Sequence, residues 1–173
     1  MEYTAFVFGS LLIVAISWRS LWNPTSHGFY RFFAFEAILG LAVINAAPWF
    51  RDPFSPLHLL SWIALFGSVI LAAQAFWFLV KAGKPSGYFE NTTELVTSGP
   101  YRSIRHPLYG SLLLLAWGAY LKDISGFSTL LVLVATGMLI ATAKIEEKAN
   151  LRKFGEAYEQ YTHRTRMFLP RLL

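Results

Sequence analysis

The sequence predicts an all-α polytopic membrane protein, with about five transmembrane helices followed by an amphipathic C-terminal helix on the cytoplasmic side. Three observations carry that reading. Hydrophobic residues make up 55% of the 173 and charged residues only 14%, with mean hydropathy +0.44, too apolar for an ordinary soluble domain. Apolar runs recur along the whole chain and approach or exceed the roughly 18–20 residues needed to cross a bilayer core. The basic residues, finally, are divided unevenly between the two sets of connecting loops.

The first run, 3–18, opens behind Glu2 rather than a basic region and has no small-residue cleavage site, so it reads as a retained helix. Asn23-Pro24-Thr25-Ser26-His27-Gly28 is a turn. The second span, 32–50, is interrupted only by Glu36 and Asn45, and the prolines of Arg51-Asp52-Pro53-Phe54-Ser55-Pro56 disfavour continued helix beyond it. The third, 57–80, carries no formal charge beyond what His58 takes on. Lys81-Ala82-Gly83-Lys84-Pro85-Ser86-Gly87 is a breaker-rich exit, and 88–105 is a polar loop whose length without periodicity suits a ligand-ordered segment.

Pro107 suits the first turn of a fourth, short span, 107–121, where its missing N–H is not needed. Lys122-Asp123 makes a tight hairpin into an uncharged fifth span, 124–143. Beyond it Leu151, Phe154, Tyr158 and Tyr161 recur at spacings of three and four, the apolar face of a helix docking on the membrane surface. No linker or repeat divides the chain. It reads as one domain over 1–173, with three spans in 1–80 and the polar loop, two spans and the C-terminal helix in 81–173.

Of the 15 lysines and arginines, all but Arg51 and Lys122 fall on one side of a five-span topology. That side should be cytoplasmic. It gathers the polar loop and the C-terminal tail together, so the two can build one site. The positive charge reads as attraction to anionic lipid headgroups rather than to nucleic acid. Without cysteine there is no disulfide or thiolate nucleophile, and His27, His58, His106 and His163 show no metal-ligand spacing. HExxH, GxSxG, phosphate-loop and GxGxxG patterns are lacking too, which argues against a metalloenzyme, a serine hydrolase or a Rossmann domain.

Three groups are candidates for chemistry. Glu146-Glu147 follows the last span, either as a solvated boundary or as a carboxylate site; adjacent helical residues diverge by about 100°, so one of the two faces any shared pocket. Ser98-Gly99-Pro100-Tyr101-Arg102-Ser103-Ile104-Arg105-His106-Pro107-Leu108-Tyr109 sets aromatic, basic and turn residues at a helix start, either as an interfacial belt or as a binding loop. Glu36 and Gln74 lie inside spans, where polar groups are costly; Glu36 either faces a substrate cavity or pairs with Arg31. Asn45 reads as helix–helix glue.

Glu94-Leu95-Val96-Thr97-Ser98-Gly99-Pro100-Tyr101, Arg105-His106-Pro107-Leu108-Tyr109-Gly110, Glu146-Glu147, Phe154-Gly155-Glu156-Ala157-Tyr158 and Phe168-Leu169-Pro170 together resemble the isoprenylcysteine carboxyl methyltransferase and phospholipid methyltransferase superfamily. The resemblance covers roughly 80–171. It implies an integral-membrane enzyme using S-adenosylmethionine from the cytoplasm, while the small size and the absence of a targeting signal point to a prokaryotic inner membrane. Carried over by motif position, cofactor contacts fall to Thr93, Glu94, Leu95, Val96, Tyr101, His106, Pro107, Leu108, Tyr109 and Glu146. No metal is implied.

The methyl acceptor would be a lipophilic small molecule or lipidated group from the bilayer, with Glu36 as a residue that orients or deprotonates it. Thr93 stands where the prenylcysteine enzymes of the superfamily have histidine, and Thr142 where they have a substrate-binding arginine, with Lys144 two residues away; both departures point away from a prenylcysteine carboxylate. Two rivals remain: a membrane NADPH-dependent reductase, since sterol reductases resemble this architecture, and a non-enzymatic scaffold or carrier.

Overall fold

The computed structural model describes residues 2–84 and 92–169. The expected exit at 85–87, the start of the polar loop at 88–91 and Pro170 at the end of the tail motif lie outside these. The described residues form six α-helices: α1 (Glu2–Leu21), α2 (His27–Ile44), α3 (Pro56–Gly83), α4 (Pro107–Tyr120), α5 (Gly126–Phe154) and α6 (Glu156–Arg164). Short 3-10 turns occupy Ala47–Phe50 and Gly99–Arg102.

Local chemistry sets the helix ends. Ser26 accepts a hydrogen bond from the Phe29 N–H at the start of α2, and Ser55 accepts from His58 before Pro56 at the start of α3. Ser125 and Ser128 form a reciprocal capping box on α5. The expected 32–50 span thus begins earlier, at a capped turn, and stops before Pro48.

Helices α1, α2, α3 and α5 are long and apolar enough to cross a membrane, so the chain is an integral membrane protein. The expected fourth span is α4. Its 14 residues rise about 21 Å, short of a hydrocarbon core of about 30 Å.

Helix α2 packs along α5 and α3 along α4, while α1 rests mainly on α2. The core is built from small residues that let backbones approach: Ala34, Ala37, Ala116, Ala119, Ala135 and Ala143, filled in by Ile38, Leu41, Val132 and Leu139. Asn45 is the glue the sequence suggests. Buried at 1% exposure, it donates through Nδ2 to the carbonyls of Ala119 (2.8 Å) and Asp123 (3.2 Å), fastening the end of α2 to the α4–α5 hairpin. Ser61 Oγ likewise donates to the Gly118 carbonyl at 2.6 Å, joining α3 to α4.

The continuous apolar face expected from Leu151 to Tyr161 is interrupted. Gly155 ends α5 with φ 55 and ψ −132, a conformation that essentially only glycine adopts, and α6 restarts in a new direction. Leu151 is consequently 48% exposed while Tyr158 and Tyr161 are buried. The chain after α6 returns to the start of α4: Arg105 N–H donates to the Arg166 carbonyl (2.7 Å), His106 N–H to that of Met167 (3.1 Å) and Arg166 N–H to that of Ser103 (3.0 Å).

Replacing Gly155 by alanine introduces a Cβ at that backbone angle without any neighbour to clash with. The expected cost is about 1–3 kcal/mol, confined to the α6 junction. Hydrogen exchange of the Gly155→Ala protein should speed up in α6 and remain unchanged in α2 and α5; uniform acceleration would contradict this assignment.

Candidate functional site

A cavity of about 310 Å³ opens where α3 ends, α4 begins and α5 leaves the bundle, within the size range of small-molecule sites. The turn before α4 is set directly against α3. Gly99 has φ 59, and a Cβ there would lie 2.4 Å from the Phe78 ring, so only glycine permits this approach. The turn buries Tyr101, and the Tyr161 hydroxyl of α6 donates to the Tyr101 carbonyl at 2.6 Å.

His106 and Pro107 then start α4. The His106 ring stacks on Tyr109, centroids 5.6 Å apart at 20°. One turn into α4, the Tyr109 hydroxyl donates to Glu146 Oε2 of α5 at 2.6 Å. Glu147 points elsewhere, as helical geometry requires. It accepts from Arg105 Nε at 2.6 Å and lies 3.5 Å from His106 Nε2. Arg105 also donates to the carbonyls of Thr165 (2.6 Å) and Thr162 (3.3 Å).

Of the residues singled out from the sequence, Leu95, Val96, Tyr101, His106, Leu108, Tyr109 and Glu146 line this cavity. Pro107 is buried behind it as the first residue of α4. Thr93 and Glu94 are off the wall: the Thr93 hydroxyl donates to the Lys84 carbonyl (2.8 Å), and Glu94 accepts from Lys84 Nζ (2.7 Å), tying the loop to the end of α3. Glu36 is also off the wall, accepting from Ser10 Oγ of α1 at 2.6 Å. Gln74 is exposed on α3.

The structure adds wall residues that the sequence reading missed. Asn150 and Phe154 follow Glu146 at intervals of four, a helical signal that was available. Arg31 and Phe35 of α2 show the same spacing and also face the cavity, the Arg31 guanidinium carbon 5.8 Å from the Phe35 centroid. Phe76 and Leu79 come from α3, and Tyr158 and Tyr161 from α6.

Burial, followed by the nearby charge of Glu146, raises the affinity of the Tyr101 hydroxyl for its proton. Burial does the same for Tyr161 and pushes Tyr158 up to about 12. These hydroxyls are neutral around pH 7. Their ring faces, together with the Glu146 carboxylate, make a lining that can hold a cation in a partly apolar setting. Among the described residues no group of three or more His, Asp and Glu could hold a metal ion.

A family model for phospholipid methyltransferases matches residues 56–157, from the start of α3 into α6. A methanethiol S-methyltransferase of Pseudomonas sp. (strain GM41(2012)) is 24% identical over 174 residues, covering 99% of this chain and 60% of that protein. The nickel-cobalt-cadmium resistance protein NccN of Alcaligenes xylosoxydans xylosoxydans is 37% identical over 83 residues, 47% of this chain and 38% of that protein. A probable protein-S-isoprenylcysteine O-methyltransferase of Oryza sativa subsp. indica is 27% identical over 104 residues, 60% of this chain and 52% of that protein. The chain therefore spans 60% or less of the length of these relatives. No solved structure matches it.

The tyrosines give the site an alkaline limit. With a folded pKa of about 12 against 10.0 unfolded, Tyr158 contributes stability that is intact below pH 10 and lost as pH rises through 12. Tyrosinate absorbance should therefore grow in a late step coincident with loss of α6 protection, and Tyr158→Phe should reduce the amplitude of that step. Full tyrosine ionisation by pH 10.5 with α6 still protected would contradict it.

Proposed function

The chain belongs to the phospholipid methyltransferase family, and on that premise we propose that it transfers a methyl group from S-adenosylmethionine to a lipophilic or amphiphilic acceptor. The observation that supports this reading best is the Tyr109–Glu146 hydrogen bond, set in an aromatic cavity and lying within the matched residues. A carboxylate beside aromatic faces suits a sulfonium and an ammonium group.

In this reading Glu146 and the rings of Tyr101 and Tyr109 hold the cationic part of the cofactor, and Leu95, Val96 and Leu108 provide an apolar bed for the rest. His106, stacked on Tyr109, keeps that ring in place. Thr93 and Glu94 act at one remove, by closing the loop on Lys84. S-adenosylmethionine supplies the electrophilic methyl. The protein aligns the acceptor with it and excludes water, which are the main demands of an in-line displacement. Because the cavity lies on the side rich in lysine and arginine, it faces the cytoplasm, in an inner membrane of prokaryotic type.

Calorimetry on the purified protein should detect S-adenosylmethionine binding and no NADPH binding. Glu146→Ala and Tyr109→Ala should each weaken it about 10- to 100-fold, the equivalent of losing a charge-assisted contact. A folded wild-type protein that fails to bind S-adenosylmethionine would overturn the proposal.

Glu36 gives a separate test. Its bond to Ser10 makes it a clasp for α1, so Glu36→Gln should lower the thermal stability of the α1–α2 pair and leave S-adenosylmethionine affinity unchanged. A large loss of affinity in that variant would place Glu36 in the site after all.

A further inference from the structure

A second cavity, of about 460 Å³, lies between the α1–α2 turn and the last turns of α5, and shares no wall residue with the site described above. The turn and Tyr30 of α2 form one wall; Ile145, Lys148 and Arg152 of α5 form the other. No carboxylate lines it. Lys148 and Arg152 stand four residues apart, one turn above the other on the same helix face, where like charges repel. Among the described residues neither has an ion-pair or hydrogen-bond partner. Two mutually repelling cations thus share a cavity whose walls carry no counter-charge, and Tyr30 adds a hydroxyl that can donate to an oxyanion.

The position of this cavity along the helices narrows the kind of anion that fits. Helix α1 ends at Leu21 and α2 begins at His27, so the turn marks where both helices leave the apolar layer on the basic side. Trp18 and Trp22 are exposed on the last turns of α1 and just beyond it, as an aromatic belt at headgroup depth would be. Deeper in the span, the face of α5 that carries Ile145 continues through Ala141, Met138 and Val134, each partly exposed. One helix face therefore offers hydrocarbon contact inside the bilayer and two cations immediately beyond it. A free inorganic anion would use only the upper part of that face, whereas an anionic phospholipid would use both.

We propose that this cleft seats the phosphate of an anionic phospholipid in the leaflet on the basic side, held by Arg152 and Lys148, with its acyl chains against Ile145, Ala141 and Met138. The planar guanidinium can engage two phosphate oxygens, and the ammonium supplies a point charge beside them. Basic pockets between spans recognise headgroups in this way. The lipid is a bridge and not a methyl acceptor. By joining the α1–α2 turn to α5 it relieves the repulsion between the two cations and steadies the turn.

Native mass spectrometry of the full-length protein in mild detergent tests the proposal with three probes: dioleoyl-phosphatidylglycerol, dioleoyl-phosphatidylcholine and inorganic phosphate. One phosphatidylglycerol should be retained about ten-fold or more tightly than phosphatidylcholine, and millimolar phosphate should not displace it. The Lys148→Gln/Arg152→Gln double variant should lose that preference. The Arg102→Gln/Arg164→Gln double variant, which removes the same charge from exposed positions outside the cleft, should keep it. In nanodiscs, hydrogen exchange over 23–30 and 145–152 should be slower with phosphatidylglycerol than with phosphatidylcholine, and the difference should vanish in the cleft variant.

Equal retention of phosphatidylcholine would overturn the proposal. Displacement by inorganic phosphate would overturn it by making the cleft a site for a soluble anion, and an equal loss in both double variants would do so by reducing the preference to diffuse surface charge. None of these measurements involves S-adenosylmethionine, so the proposal stands or falls separately from the methyl-transfer reading.

Discussion

Arg105 is where three distant stretches of chain meet. Its guanidinium joins Glu147 of α5 to the carbonyls of Thr162 and Thr165. Its own backbone N–H reaches Arg166. With side-chain exposures of 13% for Arg105 and 22% for Glu147, the pair is shielded enough that removing either partner leaves an uncompensated charge, at a cost of about 3–5 kcal/mol. The cavity depends on this junction. It holds the end of α5, and with it Glu146, at the height of Tyr109, and it keeps α6 folded back so that Tyr161 reaches the turn that carries Tyr101.

The opposite end of the bundle solves a different problem. Backbone and polar groups near hydrocarbon need internal partners, and there Asn45 and Ser61 bond to carbonyls at the end of α4. Lys122, one of two basic residues on that side, is 3% exposed, its Nζ 3.5 Å from the Trp62 ring centroid and 5.8 Å from that of Trp49. An aromatic face is one of the few partners that can hold a cation there without a carboxylate. A short α4 becomes tolerable because its far end is held by these contacts instead of by length.

What could be read from the sequence follows from how local each cause is. Hydrocarbon thickness imposes run lengths, so the long helices were legible; Pro107 marks a helix start by its own geometry, and the divergence of Glu146 from Glu147 follows from helical pitch alone. The break at Gly155 was not legible, because the tyrosine spacing beyond it is the same whether the helix continues or turns. The place of Arg31 in the cavity was hidden for another reason. The other helices that line this cavity, from α3 onward, lie far from it in sequence, and a single chain carries no signal for that proximity. Thr93 and Glu94 were placed by resemblance of motif, which transfers the loop but not the direction of each side chain.

The residues matched by the family model, 56–157, include Tyr101, Tyr109 and Glu146 but stop short of α2, which contributes Arg31 and Phe35. That division has a physical logic. Glu146 and the rings of Tyr101 and Tyr109 stand in a fixed mutual geometry on the segments that the Arg105 junction holds together. Helix α2 packs on α5 through small residues such as Ala34 and Ala37 and turns only one narrow stripe toward the cavity. Changing Arg31 and Phe35 on that stripe therefore alters the charge and shape of one cavity wall without disturbing the core.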